Sequence, residues 1–162
     1  MTDTNDRHDT PAAYDSDDTP TLFSLNDESY DVKDPAEDVR NRTVVDRNGE
    51  EIGSIDDLLI DDREHKVRFL RVKAGGFLGI GATYRLVPVD AVTRITEDTV
   101  SVDQTGEQVG SGPEYDPTVA SDEAWRHEAH RDDGYYGTLY KHYGYSPYWT
   151  PGYAYPAYPF YL

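Results

Sequence analysis

Cysteine is missing from all 162 residues, which excludes disulfides, thiolate catalysis and cysteine-based zinc or iron–sulfur sites. Long apolar runs are missing too, and no window approaches the about 20 apolar residues that span a bilayer. The opening Met-Thr-Asp-Thr-Asn-Asp has neither a basic nor an apolar stretch, so no secretory signal is expected. Basic residues are scarce: 15 Lys and Arg stand against 32 Asp and Glu, a formal charge of -17. Nucleic acids and anionic lipids are held by clustered cations, so a chain of this sign is repelled from both. Arg68, Arg71 and Lys73 form the one basic candidate, and acids on neighbouring segments can neutralise it. The expectation is a soluble cytoplasmic protein with no direct nucleic-acid contact and no membrane span.

The charge that is present is spread unevenly. Residues 1–41 carry twelve acids against three bases, residues 42–105 twelve against nine, and residues 106–162 eight against three. The near-neutral middle is the foldable part, and a chain of this length allows one domain with appendages. The expected division is an acidic, largely disordered arm at 1–41, a barrel at 42–105 and a Gly/Ser linker at 106–113. Short helices at 114–144 and a Tyr/Pro-rich tail at 145–162 follow.

In the arm, residues 1–20 have nothing to bury against an ordering cost of about 1–2 kcal/mol per residue. Leu22, Phe23 and Leu25 interrupt this with a short apolar patch, and Asp34-Pro35 can start one helical turn. Docking on the barrel or on a partner and a solvated leader are the readings, and composition favours the leader.

From Thr43 the apolar period becomes two, which predicts strands over 43–45, 50–61, 66–74, 83–89, 92–96 and 99–102. Asn48-Gly49 is a hairpin signal, because both residues tolerate positive φ. Ile52, Ile55 and Leu58 stand three apart around Gly53, a spacing that suits a bulged strand turning a barrel corner. In 66–74 Val67, Phe69, Leu70 and Val72 form an apolar face, with Arg68 and Arg71 largely outside. Pro88 marks a strand end or edge.

The loop Ala74-Gly75-Gly76-Phe77-Leu78-Gly79-Ile80-Gly81 invites a nucleotide-binding reading. A dinucleotide fingerprint needs a helix after its glycines, and here a β-branched strand ending in proline follows. The loop is read instead as a tight connection whose Phe77, Leu78 and Ile80 either plug the barrel end or present a partner site.

The segments Gly49-Glu50-Glu51-Ile52-Gly53-Ser54-Ile55-Asp56-Asp57-Leu58, Val67-Arg68-Phe69-Leu70-Arg71-Val72, Gly75-Gly76-Phe77-Leu78-Gly79-Ile80-Gly81 and Leu86-Val87-Pro88-Val89-Asp90-Ala91-Val92 together resemble the PRC-barrel. That domain is shared by the cytoplasmic part of the photosynthetic reaction-centre H subunit and by a bacterial ribosome-maturation factor. The resemblance covers about sixty residues. It implies a mainly β protein with a small barrel of five to six short strands, of the stand-alone bacterial kind, that serves protein interaction.

Beyond the linker, residues 115–131 offer a thin apolar face with Trp125 and Ala129. A second helix over 133–143 places Tyr136, Leu139, Tyr140 and Tyr143 on one side, with Gly144 as its stop. The last stretch is dense in tyrosine and proline. It reads equally as an adhesive segment for a partner or another copy and as a strap over its own barrel. His127 and His130, with Glu128 or Asp132, are one residue short of the zincin spacing and are read as a surface pair. Asp56, Asp57, Asp61 and Asp62 lack the loop glycine and oxygen count of a calcium site and are read as strand ends.

These observations lead to a non-enzymatic interaction or assembly module, with stress response as one setting and no cofactor or metal. The candidate partner-binding residues are Phe77, Leu78, Ile80, Tyr140, Tyr143, Tyr148 and Trp149. The partner is a protein or a second copy. The alternatives are an H-subunit-like role in light-driven electron transfer or membrane complex assembly, and a ribosome or RNA-processing adaptor. No spaced nucleophile–base pair supports an enzyme.

Overall fold

The computed structural model describes residues 21–26, 38–74, 83–116, 128–129, 134–156 and 158. The period-two segments become strands β1 (Leu22–Ser24), β2 (Thr43–Val45), β3 (Glu51–Asp61), β4 (Val67–Ala74), β5 (Thr83–Pro88), β6 (Val92–Ile95) and β7 (Thr99–Val102). A 3-10 turn, Val89–Ala91, joins β5 to β6, and the named helices among the described residues are α1 (Gly106–Gly110) and α2 (Tyr135–Tyr143). The strands lie in the order β5-β4-β3-β2-β7-β6, with β1 beside β3, and the sheet curls into a half-barrel. The protein is mainly β, as the sequence predicts. The described strands number seven, because β1 adds to the expected five or six.

The long β3 is the spine, pairing with β1, β2 and β4. Two register shifts bend it. Val44 faces Gly53 while Val45 faces Glu51, and Ile55 faces Val72 while Asp57 faces Arg71, so Ile52 and Asp56 are extra residues. Each bulge resets the alternation, which explains apolar anchors spaced by three rather than two. At Gly53 the backbone of β4 comes so close that a Cβ would drive into the Lys73 carbonyl. All pairings are antiparallel except β2 with β7, where Val44 lies beside Val100.

The β2–β3 turn holds Gly49 at φ 84, while Asn48 stays out of the left-handed region and Asn41 and His65 occupy it. Asp46 organises this turn. Its carboxylate accepts the N–H groups of Asn48 at 2.8 Å, Glu50 at 2.9 Å and, from far along the chain, Gly106 at 3.1 Å. The stretch expected as a linker thus begins with a helix, whose N-cap Thr105 accepts from the Gln108 N–H. Helix α2 keeps the expected face: Tyr136, Leu139, Tyr140 and Tyr143 are buried, and Gly144 ends it in the left-handed conformation at φ 87.

The arm is not wholly a leader. Leu22 and Leu25 are buried in the core, and Leu22, Phe23 and Ser24 pair with Asp61, Ile60 and Leu59. Residues 1–20 and 27–37, including most of the expected helical turn, lie outside the described residues, as do 117–127 of the expected first helix.

Candidate interaction site

The site forms where β4 meets the C-terminal segment, and a third bulge creates it. Leu59 faces Phe69 and Ile60 faces Val67, so Arg68 is an extra residue with no partner across the ladder. Alternation alone puts Arg68 outside. The bulge re-aims it, and its side chain is only 3% exposed. Its Nε donates to Asp61 Oδ2 at 2.7 Å, and a terminal nitrogen donates to Glu64 Oε1 at 2.5 Å. Burial opposes the guanidinium's charge, but the Asp61 carboxylate outweighs it and holds the pKa above its ordinary value.

Three tyrosine rings surround this cation. The guanidinium carbon lies 4.5 Å from the ring centre of Tyr148, 5.3 Å from Tyr155 and 5.8 Å from Tyr153. Lys66 Nζ stands 4.6 Å from the Tyr155 ring centre. Contacts of this kind contribute about 0.5–2 kcal/mol each, more as water is excluded. Two hydroxyls fix the tail: Tyr153 donates to Asp90 Oδ2 at 2.9 Å, and Tyr155 donates to the Val67 carbonyl at 3.1 Å. Burial raises the Asp90 pKa despite the hydrogen bond from Tyr153. Burial likewise raises Tyr153 and Tyr140, with the Asp90 charge adding to both. Asp90 Oδ1 and the Tyr140 hydroxyl are buried without a hydrogen-bond partner.

Next to the cation the contact is apolar. Phe69 stacks on Tyr136 with centroids 5.3 Å apart and meets Tyr140 at 5.1 Å. Tyr140 touches the edge of Trp149 at 6.0 Å, and Trp149 in turn that of Tyr148 at 5.2 Å. The structure therefore brings together Tyr140, Tyr148 and Trp149, and also buries Tyr143, whose pKa is raised by its burial. These rings lie against the chain's own barrel, with Tyr148 6% and Trp149 5% exposed. Phe77, Leu78 and Ile80 lie outside the described residues.

Sequence reasoning missed Arg68, Asp90, Tyr153 and Tyr155. A signal for the tyrosines was present, since Gly152-Tyr153-Ala154-Tyr155-Pro156 alternates ring and small residue, which aims both rings one way in an extended segment.

The other candidates are absorbed by the fold. Asp56 accepts from Arg71 Nε at 2.8 Å, and Asp62 accepts from both the Thr21 N–H and its hydroxyl. Asp57, fully buried, accepts from the Ser24 hydroxyl, the Asn26 N–H at 3.0 Å and the Leu58 N–H at 2.8 Å. An open polar cleft of about 390 Å³ is lined by Asn26, Asp38, Arg40, Asn41 and Asp56, and two of these, Arg40 and Asp38, are tied to each other at 2.7 Å. Among the described residues no three His, Asp or Glu side chains are grouped to hold a metal ion. His127 and His130 lie outside them. No described helix is long and apolar enough to cross a membrane.

The family description PRC-barrel domain matches residues 32–109, which takes in β2 to β7 and nearly all of α1. No curated protein matches the chain.

Proposed function

With a PRC-barrel domain at residues 32–109 as the premise, we propose that this protein is a non-catalytic interaction or assembly module of the cytoplasm. Its binding elements are the glycine loop with Phe77, Leu78 and Ile80 and the aromatic C-terminal segment with Tyr140, Tyr143, Tyr148 and Trp149. The observation that carries this reading is a tail that lies on the barrel through ring faces and hydroxyls, while no described residue of it joins the sheet. A segment so attached can be traded for another of like chemistry. The acidic side chains of β3 and its end support the same reading, because Asp56, Asp57, Asp61 and Asp62 are each committed to holding strands or the arm.

Light scattering on the full chain and on one ending at Gly144 tests the tail's part. The expected result is an assembly for the full chain and a folded single chain for the shorter one. Equal masses, with every bound protein retained after the deletion, would remove the tail from the reading. Replacing Phe77, Leu78 and Ile80 by serine then decides whether the loop acts alone.

A further inference from the structure

We propose that the groove around Arg68 accepts the C-terminal segment of a second copy of this chain, so that two copies exchange tails. This rests on the interaction-module reading and names its partner and its site.

Four features support the exchange. First, the groove survives opening. With the tail gone, Arg68 keeps Asp61 at 2.7 Å and Glu64 at 2.5 Å, so the cation of the vacated surface stays paired beside the apolar ring of Tyr140. Second, the tail carries its own shape. Its turns are closed by local bonds, Thr150 N–H to the Pro147 carbonyl and Tyr153 N–H to the Thr150 carbonyl, both 3.0 Å. It therefore travels as a preformed knob of rings, which reduces the ordering it must undergo on docking.

Third, the hinge is a glycine held by its own helix. Gly144 sits at φ 87, and the bonds that set the exit from α2, from the Gly144 and Tyr145 N–H groups to the Tyr140 carbonyl at 2.8 and 3.0 Å, are local ones that a tail from either copy keeps. Fourth, the charges match. Each chain is formally -17, which separates copies, yet residues 145–162 contain no charged side chain. The groove offers this neutral, ring-rich segment two cations, Lys66 and Arg68, and two hydroxyl acceptors, Asp90 and the Val67 carbonyl. A tail from either copy presents the same rings at the same spacing, so the exchanged contacts equal the internal ones. Reciprocal exchange closes a two-fold pair and leaves no groove open.

The chain's own tail competes at the effective concentration of a short tether, on the order of millimolar. The test is the mass of the full chain by light scattering up to that concentration, repeated with an excess of the peptide of residues 145–158 and with a scrambled peptide of the same composition. The expected result is a two-chain mass that the native peptide halves and the scrambled one leaves unchanged. A two-chain mass untouched by the native peptide overturns the exchange while keeping an assembly function, which then uses another surface. A one-chain mass throughout overturns the exchange, and the assembly reading falls with it only if the full chain also retains no other protein.

Discussion

Two short segments cover this half-barrel from opposite ends of the sequence, and they are held by opposite means. The N-terminal β1 joins β3 through a backbone ladder and places the Ser24 hydroxyl and the Asn26 N–H on the buried Asp57. Removing it leaves that carboxylate inside the protein with the Leu58 N–H and Arg71 at 3.6 Å, a costly arrangement for a buried charge. The C-terminal tail adds no described strand, and Arg68 beneath it is already paired with Asp61 and Glu64. One cover completes the sheet; the other adds rings to the core without joining the sheet. Sequence position and composition do not separate them, whereas the state in which each leaves its floor does.

The sharpest changes to this contrast begin at the shared core. Phe69→Ala removes the ring that α2 packs on, and about 3–5 kcal/mol of stability should be lost in urea unfolding, as for other buried aromatic truncations. Asp57→Ala strands the donors of β1 and should lower stability by about 1–3 kcal/mol. It should also speed hydrogen exchange at the Leu25 amide, which is bonded to the Leu58 carbonyl. Tyr153→Phe leaves Asp90 without its hydroxyl donor, for about 1 kcal/mol, and should speed exchange only at tail amides. Were β1 amides to loosen equally in Tyr153→Phe, the two covers would be one cooperative unit and the contrast would fail.

The smallest effect is on pH dependence, where the floor of the tail and the β2–β3 turn should respond with opposite sign. Burial raises the Asp90 pKa in the folded protein, so folding tightens its proton. Its contribution is fully present below the ordinary 3.8 and is lost as pH rises from there through the folded value. Asp46 goes the other way. The Glu50 N–H holds it below 3.8 in the face of burial, helped by Gly106 and Asn48, so its contribution is present above 3.8 and lost as pH falls through the folded value. Tail exchange protection in the parent should therefore strengthen on mild acidification and be flat in Asp90→Asn, while Asp46→Asn should remove part of the acid loss of the β2–β3 turn.

Local signals in the sequence were sufficient for most of the barrel. Alternation located β2 to β7, Pro88 closed β5, and Gly144 stopped α2, because each is decided by residues within a few positions. The spacing of Ile52, Ile55 and Leu58 announced bulges in β3. β1 escaped because three residues have no period and their acceptors, Asp57 and Asp62, stand 33 and 41 positions away from Ser24 and Thr21. Arg68 was placed outside because alternation assumes an unbroken register, and the bulge that breaks it depends on how β3 and β4 pair. Helix α1 was legible in principle. Thr105-Gly106-Glu107-Gln108 has the capping-box pattern, hidden by flanking glycines, although Gln108 turns its side chain to the His142 carbonyl at 2.8 Å instead of completing the box. The tail's rings were seen, but burial of a tyrosine-rich segment turns on whether a floor exists for it.

The neutrality of residues 145–162 has a consequence for ionic strength. Added salt shortens the range over which two strongly acidic molecules push each other apart, to about 8 Å at physiological levels and about 3 Å at 1 M. It takes little from a docked segment whose own side chains carry no charge and whose main cation, Arg68, is buried beneath rings. Close approach of two copies thus becomes easier in brine while the contact itself is largely kept, the reverse of a complex held by opposite surface charges.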